Sequence, residues 1–400
     1  MPLSLPDATG VEFRCATSPE ELGPLLGYYR SAQSHVEADV DAIGHAAAAG
    51  ESGQPWFMAM LRNGSPVAML AGHVAETEFR WRIGYLRLWT TRSRVLTVAN
   101  GGVVGEPDPG ASSLLWRECL RRLPARGADV VKLTHLSTGS SFYRAVSTEP
   151  GWLARDPFIV PHIHYRLDLP ESFEAYLAQR SDASKRDIKR TLSRFRKKYD
   201  GQFDVVCYRD AQQVDEAMQA VESVARLSYQ RTLGVGFKPT PHTRAWWLAA
   251  AERGWLRVYV LRVRGVPCAY VAGHAYGGTF FGETTAFDPQ YRDDRVGIYV
   301  WIQLIESLCA SRDATRIDFG SGDAEYKRRL SSEVIDESDV YLFVPSLKGA
   351  YLRLMRLATV GLHNGGRKLL ARFGLVDWVK TRWRRRMAPA ADQGAAPAPD

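Results

Sequence analysis

The 400-residue chain is 45% hydrophobic and 24% charged, which supports packed cores and excludes a disordered or fibrous protein. Its length implies two or three domains. A formal charge of +8 and a pI near 9.2 point to acidic partners: phosphates, a nucleic acid or an anionic membrane surface.

Five cysteines (Cys15, Cys119, Cys207, Cys268, Cys309) stand singly, without CxxC or a Cys/His cluster of zinc spacing. Neither a disulfide framework nor a bound metal is therefore expected. MPLSLPDATG lacks the basic and apolar regions of a signal peptide, and no apolar run is long enough to span a bilayer. The expectation is a cytoplasmic protein, soluble or peripheral.

In chain order, VEFRCAT (11–17) reads as a strand, and GSPVAMLAGH (64–73) as a turn entering another. A helical pattern carrying Trp116 follows, then the corner HLSTGSSFYR (135–144) and a closing strand HIHYRLDL (162–169). The basic stretch QRSDASKRDIKRTLSRFRKK (179–198) reads as a helix capped by Ser181 or Asp182. It is either a solvated linker or a cradle for a phosphorylated ligand.

The landmarks then recur. FDVVCYR (203–209) is a strand, and helical spacing covers 214–231 and 243–253. Strands are expected at 255–263, 267–276 and 279–287, and the loop DPQYRDDRVG leads into a helix carrying Trp301. A strand at 315–320 runs into DAEYKRRL, and SDVYLFV (338–344) closes the unit.

GVPCAYVAGH (265–274) matches GSPVAMLAGH at six of ten positions without a gap. DFGSGDAEYK (318–327) aligns with HLSTGSSFYR, putting Gly322 on Gly139, Tyr326 on Tyr143 and Lys327 on Arg144. Landmarks repeating in one order indicate a tandem duplication. The first copy has the longer insert, between His73 and Gly110. Each unit is strand, two helices, three meandering strands, helix, strand, helix, strand, which requires a mixed sheet.

This order resembles the GNAT acyltransferase fold, and the duplicated form resembles FemAB-like proteins and the GNAT-like transferases of cellulose and exopolysaccharide synthesis. The residues carrying the resemblance are YQRTLG (229–234), GVPCAYVAGH, AFDPQY followed by Val296-Gly297, and DFGSGDAEYK. It implies an α/β (α+β) fold of two tandem GNAT-like mixed-sheet lobes. The expected divisions are a first lobe over 1–170, a basic linker helix over 171–200 and a second, catalytic lobe over 201–345. A basic amphipathic helical tail over 346–386 and a disordered end over 387–400 follow.

Acyl transfer from a thioester needs groups that hold the donor phosphates, polarise the carbonyl, deprotonate the acceptor and protonate the thiolate. Arg292, Arg295 and the amides of Val296, Gly297 and Ile298 are the candidate donor site, at a helix N-terminus. A solvated turn capped by Asp293 or Asp294 is the plainer reading of the same stretch. The resemblance implies Glu283 or His274 as base and Tyr326 as acid, with Lys327 near the reacting carbonyl. Asp323 joins the catalytic candidates, and Asp318, Tyr229, Arg231 and Trp246 the substrate-binding ones. His73 and Tyr143 recur in the first copy, so His274 and Tyr326 also serve packing in an alternative reading. Asp318 and Asp323 replace His135 and Ser140, and this asymmetry assigns the chemistry to the second copy.

In the tail, Leu369, Phe373, Val376, Val379 and Trp383 form an apolar stripe among Lys and Arg residues. Such a helix suits an anionic membrane surface. No GxSxG elbow and no Walker loop is present. The expected function is transfer from acyl-CoA to an amine or hydroxyl of a cell-envelope precursor (glycolipid, polysaccharide sugar or sphingoid amine) at the inner membrane surface. No metal and no nucleic acid partner are expected, and the oligomeric state stays open. The rivals are a FemAB-type transferase using aminoacyl-tRNA and a non-catalytic membrane-associated scaffold.

Overall fold

A computed structural model describes residues 10–48, 53–83, 86–123, 127–149, 151, 154–158, 160–228, 231 and 236–372. Strands form where aliphatic and aromatic residues dominate short segments. The first half contributes β1 (Val11–Ala16), β2 (Gln54–Arg62), β3 (Ser65–Ile83), β4 (Leu86–Val104), β5 (Val130–Ser137) and β6 (Val160–Asp168). The second contributes β7 (Phe203–Tyr208), β8 (Leu256–Val263), β9 (Val266–Tyr276), β10 (Thr279–Phe287), β11 (Arg316–Ser321) and β12 (Glu333–Phe343).

All twelve join one sheet, in the order β1-β2-β3-β4-β5-β12-β6-β11-β10-β9-β8-β7. Only β4 with β5 and β10 with β11 run parallel; the other paired strands are antiparallel. The order reads as two related halves, as the repeat predicts. The closing strands differ from expectation. β6 pairs with β11 of the second half, and β12 with β5 of the first. They also pair with each other from Glu333↔Arg166 to Asp339↔Val160. This exchange removes the open edge that each half would otherwise present beside its parallel pair.

Helices cover both faces, so central strands bury both sets of alternating side chains. In β8, Val258 and Val260 pack with the helices Val214–Ala225 and Pro241–Glu252. Tyr259, Leu261 and Val263 pack on the other face, with the helices Asp182–Tyr199 and Val296–Ser311. β2 is built alike, with Met58 and Met60 in one core and Phe57, Ala59 and Leu61 in another. Each valine, leucine, methionine or phenylalanine among these contributes roughly 1.5–3 kcal/mol on burial.

The 182–199 helix begins where Ser181 Oγ accepts the Ser184 N–H. It buries Ile188, Thr191, Leu192, Phe195 and Tyr199, a stripe at helical spacing, and Phe195 lies 4.0 Å from the Tyr299 ring. The basic segment is thus a docked helix with its cations outward. Trp247 and Phe237 are core residues with rings 5.1 Å apart.

The first-half insert is a long hairpin, since β3 and β4 are 19 residues each. Its Trp81 and Val95 pack with Phe343 and with Leu352 of the helix Leu347–Arg372. That helix exposes Leu347, Tyr351, Leu354 and Leu362. The side chains of the expected stripe from Leu369 to Trp383, and the 388–400 end, lie outside the described residues. Among the described residues, no helix is long and apolar enough to cross a membrane.

Candidate active site

The parallel pairing of β10 with β11 stops after Phe281↔Asp318. There β10 also bulges at Glu283, between Gly282↔Gly273 and Thr284↔Ala272. Gly282 is required, because a Cβ would lie 2.8 Å from the Trp301 ring. The strands diverge beyond this point, and a cavity of about 750 Å³ opens between them. Its walls are the 281–285 strand, Trp301, the 318–327 corner and side chains reaching across from the first half. The first half has the same device: β4 and β5 separate after Val98↔Leu133, beside a register shift in β4.

The 318–327 corner turns through Gly320 (φ +73°) and Gly322 (φ +91°), conformations that favour glycine. The Lys327 side chain folds beneath this loop. Its Nζ donates to Gly320 O (3.0 Å) and Ser321 O (2.7 Å). Two of its three donors are thereby used, leaving one for a ligand in the cavity it lines. Burial pushes the ammonium down to about 8, against the pull of Asp318 and Asp323. The Tyr326 ring stacks on Trp301, centroids 5.4 Å apart at 22°. Asp323 is half exposed, accepting from Tyr165 Oη (2.9 Å) and pairing with Arg328.

Of the two candidate bases, Glu283 faces the cavity. His274 lies behind it, fully buried. Its Nδ1 is 3.0 Å from Glu283 Oε1, but off the hydrogen-bonding direction, so neither ring nitrogen has a hydrogen-bond partner. Burial alone would raise the Glu283 carboxyl, yet His274 and the Trp246 indole bring it below its ordinary value. Trp246 tilts over His274 (5.0 Å, 52°) and lines a second cavity of about 420 Å³, which meets the first at Val36, Glu37 and Glu283.

The exchanged strands add a polar chain that the sequence reading missed. Asp318 is buried, and its Oδ1 meets His164 Nε2 of β6 at 2.5 Å. Glu337 Oε2 of β12 lies 2.9 Å from His164 Nδ1 and 3.2 Å from His135 Nδ1. Burial opposes charge on His164, but its two carboxylate partners raise it to about 9. Asp318 also contacts Arg166 (3.3 Å) and accepts the Gly320 N–H (2.8 Å). It therefore shapes the corner more than it faces a ligand.

His35 of the first half packs on Phe281 (4.4 Å), where Tyr276 Oη donates to Asp39 Oδ2 (2.9 Å). Burial pushes the imidazole down to about 4. Its Nδ1 accepts the Glu37 N–H, and its Nε2 lies 3.0 Å from Asn100 Nδ2. No local motif marks His35, Asn100 or Glu337. The HxH of 162–164 was visible, but its partners were not.

The expected donor site is a separate pocket of about 330 Å³ lined by Arg292, Arg295, Gly297, Ile298 and Tyr326, among others. Arg295 sits at φ +58° as N-cap of the Val296–Ser311 helix. Its guanidinium is bidentate to Asp187 (3.0 Å twice) and reaches Thr191 Oγ1, so it fastens the 182–199 helix. That bond, followed by Arg190 and Arg329, holds Asp187 down at about 2. The Ile298 N–H already donates to Arg295 O (3.1 Å). Val296 is buried and Arg292 is exposed. Arg231 pairs with Glu222 and is not among the cavity-lining residues; Tyr229 lies outside the described residues.

Residues 183–328 match the family model of the acetyltransferase (GNAT) domain. The structure of FemX superimposes with a TM-score of 0.56 at 10% identity, covering 86% of this chain and 100% of that one. A conserved protein of unknown function from Bacteroides thetaiotaomicron VPI-5482 gives 0.50 at 9%, covering 82% and 99%. A tandem GNAT protein from the clavulanic acid biosynthesis pathway gives 0.46 at 11%, covering 84% and 99%. Identities this low speak to fold alone. No curated protein matches the sequence. Residues 183–328 thus match the GNAT acetyltransferase domain, and the chain as a whole shares the fold of FemX.

Proposed function

We propose that the chain transfers an acyl group from acyl-CoA to an amine or hydroxyl of a cell-envelope precursor, such as a glycolipid, polysaccharide sugar or sphingoid amine. The observation carrying this reading is the parting of β10 and β11 at Glu283, with Lys327 and Tyr326 on the facing corner. Beyond Phe281, the β10 edge facing β11 is free of strand pairing. A donor's extended amide arm would pair there like an added strand, bringing its thioester to the bulge. Amides of the 281–286 strand and the third Lys327 donor would then hold the developing oxyanion. Glu283, kept ionised by His274, would take the acceptor proton, and Tyr326 would give one to the leaving thiolate. The sulfur–carbonyl bond breaks as the acceptor–carbonyl bond forms, leaving CoA thiol and the acylated product. Donor phosphates would rest at Arg292 and the Gly297 amide.

Action at a membrane surface is part of the proposal. Its support is the apolar side of the C-terminal helix, where Leu347, Tyr351, Leu354 and Leu362 are exposed. A basic protein with such a face suits an anionic bilayer.

One observation favours a second reading, an aminoacyl-tRNA donor. Arg190, Arg194, Lys197 and Lys198 of the 182–199 helix line a pocket of about 410 Å³ beside the Arg295 turn. Such a row of cations also suits a polynucleotide backbone. Donor titration separates the two. Thermal stabilisation by acetyl-CoA or a longer acyl-CoA, with thiol release on adding amines, is expected. Stabilisation by aminoacyl-tRNA alone would replace the first reading with the second, and binding of neither would leave a scaffold. Full turnover in folded Lys327→Ala and Tyr326→Phe proteins would overturn the site.

A further inference from the structure

The exchange of β6 and β12 puts three histidines and two carboxylates on neighbouring strands, none of which the reaction above uses. His162 and His164 are two apart on β6 and so share a face. Glu337 and Asp339 are two apart on β12, the strand between β6 and β5. His135 comes from β5.

His162 Nε2 lies 3.4 Å from Asp339 Oδ1. The His135 and His162 rings are 4.9 Å apart. One ligand atom from each of His135, His162 and Asp339 falls within 4.8 Å of the other two. Three further details bear on the cluster. His162 Nε2 is buried without a hydrogen-bond partner, an uncommon state for a ring nitrogen. His135 is held at φ +51°, a left-handed conformation uncommon for residues other than glycine, and its N–H donates to Asp339 Oδ1 (3.1 Å). Glu337 grips His135 Nδ1, which leaves Nε2 as the nitrogen to offer, as carboxylates behind metal-bound histidines do.

We propose that His135, His162 and Asp339 form a site for a divalent transition metal of the zinc class. Two imidazoles and one carboxylate select such an ion over magnesium or calcium, which prefer all-oxygen shells. Bonds of about 2.0–2.1 Å at tetrahedral angles put ligand atoms roughly 3.3 Å apart. The His162–Asp339 spacing meets this as it stands, and His135, within 4.8 Å of both, would have to move inward on binding. Lys132 Nζ, 3.8 Å from Asp339 Oδ2, balances the second carboxylate oxygen. The fourth position remains for water or a ligand, because His135 also lines the large cavity. The metal would join strands from both halves at the seam where they exchange, whichever donor the second half uses.

The test uses the full chain, stripped with EDTA and titrated with Zn²⁺ against a chromophoric chelator, with Mg²⁺ in parallel. One equivalent of Zn²⁺, a higher Tm and no response to Mg²⁺ are expected. His162→Gln and Asp339→Asn should each weaken Zn²⁺ binding at least ~10-fold while leaving the metal-free Tm in place. Absence of uptake by the wild-type protein, or unchanged uptake in the double variant, overturns the site. Should the variants not fold, Co²⁺ added to the wild type decides. Intense visible bands of a four- or five-coordinate ion support the site, and the pale spectrum of hydrated Co²⁺ refutes it.

Discussion

The corner after β5 and the corner after β11 are copies of one piece of structure with opposite fates. In the first, Ser140 caps the helix by accepting the Tyr143 N–H (3.0 Å), and Arg144 points to solvent. In the second, Ala324 makes no such cap, two glycines raise the loop, and Lys327 is drawn beneath it to 7% exposure. A helix cap contributes about 1 kcal/mol, which the second corner forgoes while burying an ammonium group. The comparison separates what both corners share, a glycine and an aromatic residue, from what the second adds, a buried cation lining a cavity.

The comparison breaks most sharply at the cation. Lys327→Ala is expected to lower turnover about 10²–10³-fold, the effect of removing one oxyanion donor, whereas Arg144→Ala changes it less than about twofold. Thiol release with acyl-CoA and an amine measures both. Tyr326→Phe should cost ~10²-fold if its hydroxyl is the acid, and Tyr143→Phe nothing measurable. Equal losses at the two tyrosines would mean that both are packing residues.

Titration sharpens the same contrast. Lys327 acts as a cation and is pushed down to about 8, mainly by burial. Turnover should therefore fall as pH rises through about 8, and Lys327→Arg should remove that inflection. The stability effect has the opposite sign. Between about 8 and the ordinary 10.5, the unfolded chain holds the proton and the folded one does not, so this group's contribution rises with pH across that window. Urea midpoints of wild type and Lys327→Met at pH 7.5 and 9.5 measure it.

The smaller effects concern the scaffold. Gly282→Ala puts a methyl group 2.8 Å from Trp301 and should cost about 1–3 kcal/mol by overpacking, seen as a lower Tm. Asp187, held at about 2 by its bond with Arg295, contributes stability above the ordinary 3.8 that is lost as pH falls through about 2. Asp187→Asn should flatten acid unfolding there and free the 182–199 helix to faster hydrogen exchange.

The repeat, the element order and the strand at 279–287 were legible in the sequence, because alternation and glycine turns are local. Glu283, Tyr326 and Lys327 could be named from the family resemblance, and one cavity is lined by all three. Arg295 was misjudged as a free phosphate ligand because its partner, Asp187, lies 108 positions away. His164 was read as one residue of a closing strand, with no hint that Asp318, 154 positions later, would meet its ring.

The sequence by itself determined two similar α/β units, an amphipathic basic helix between them and the chemical asymmetry of their corners. These follow from periodicity and from residue type. Only the tertiary structure decided which unit each closing strand serves. Strand pairing is written in backbone hydrogen bonds that every residue except proline can make in full, so side-chain pattern marks a strand without naming its neighbour. That choice put β6 against β11 and β12 against β5, and brought His135, His162, His164, Glu337 and Asp339 together at the seam.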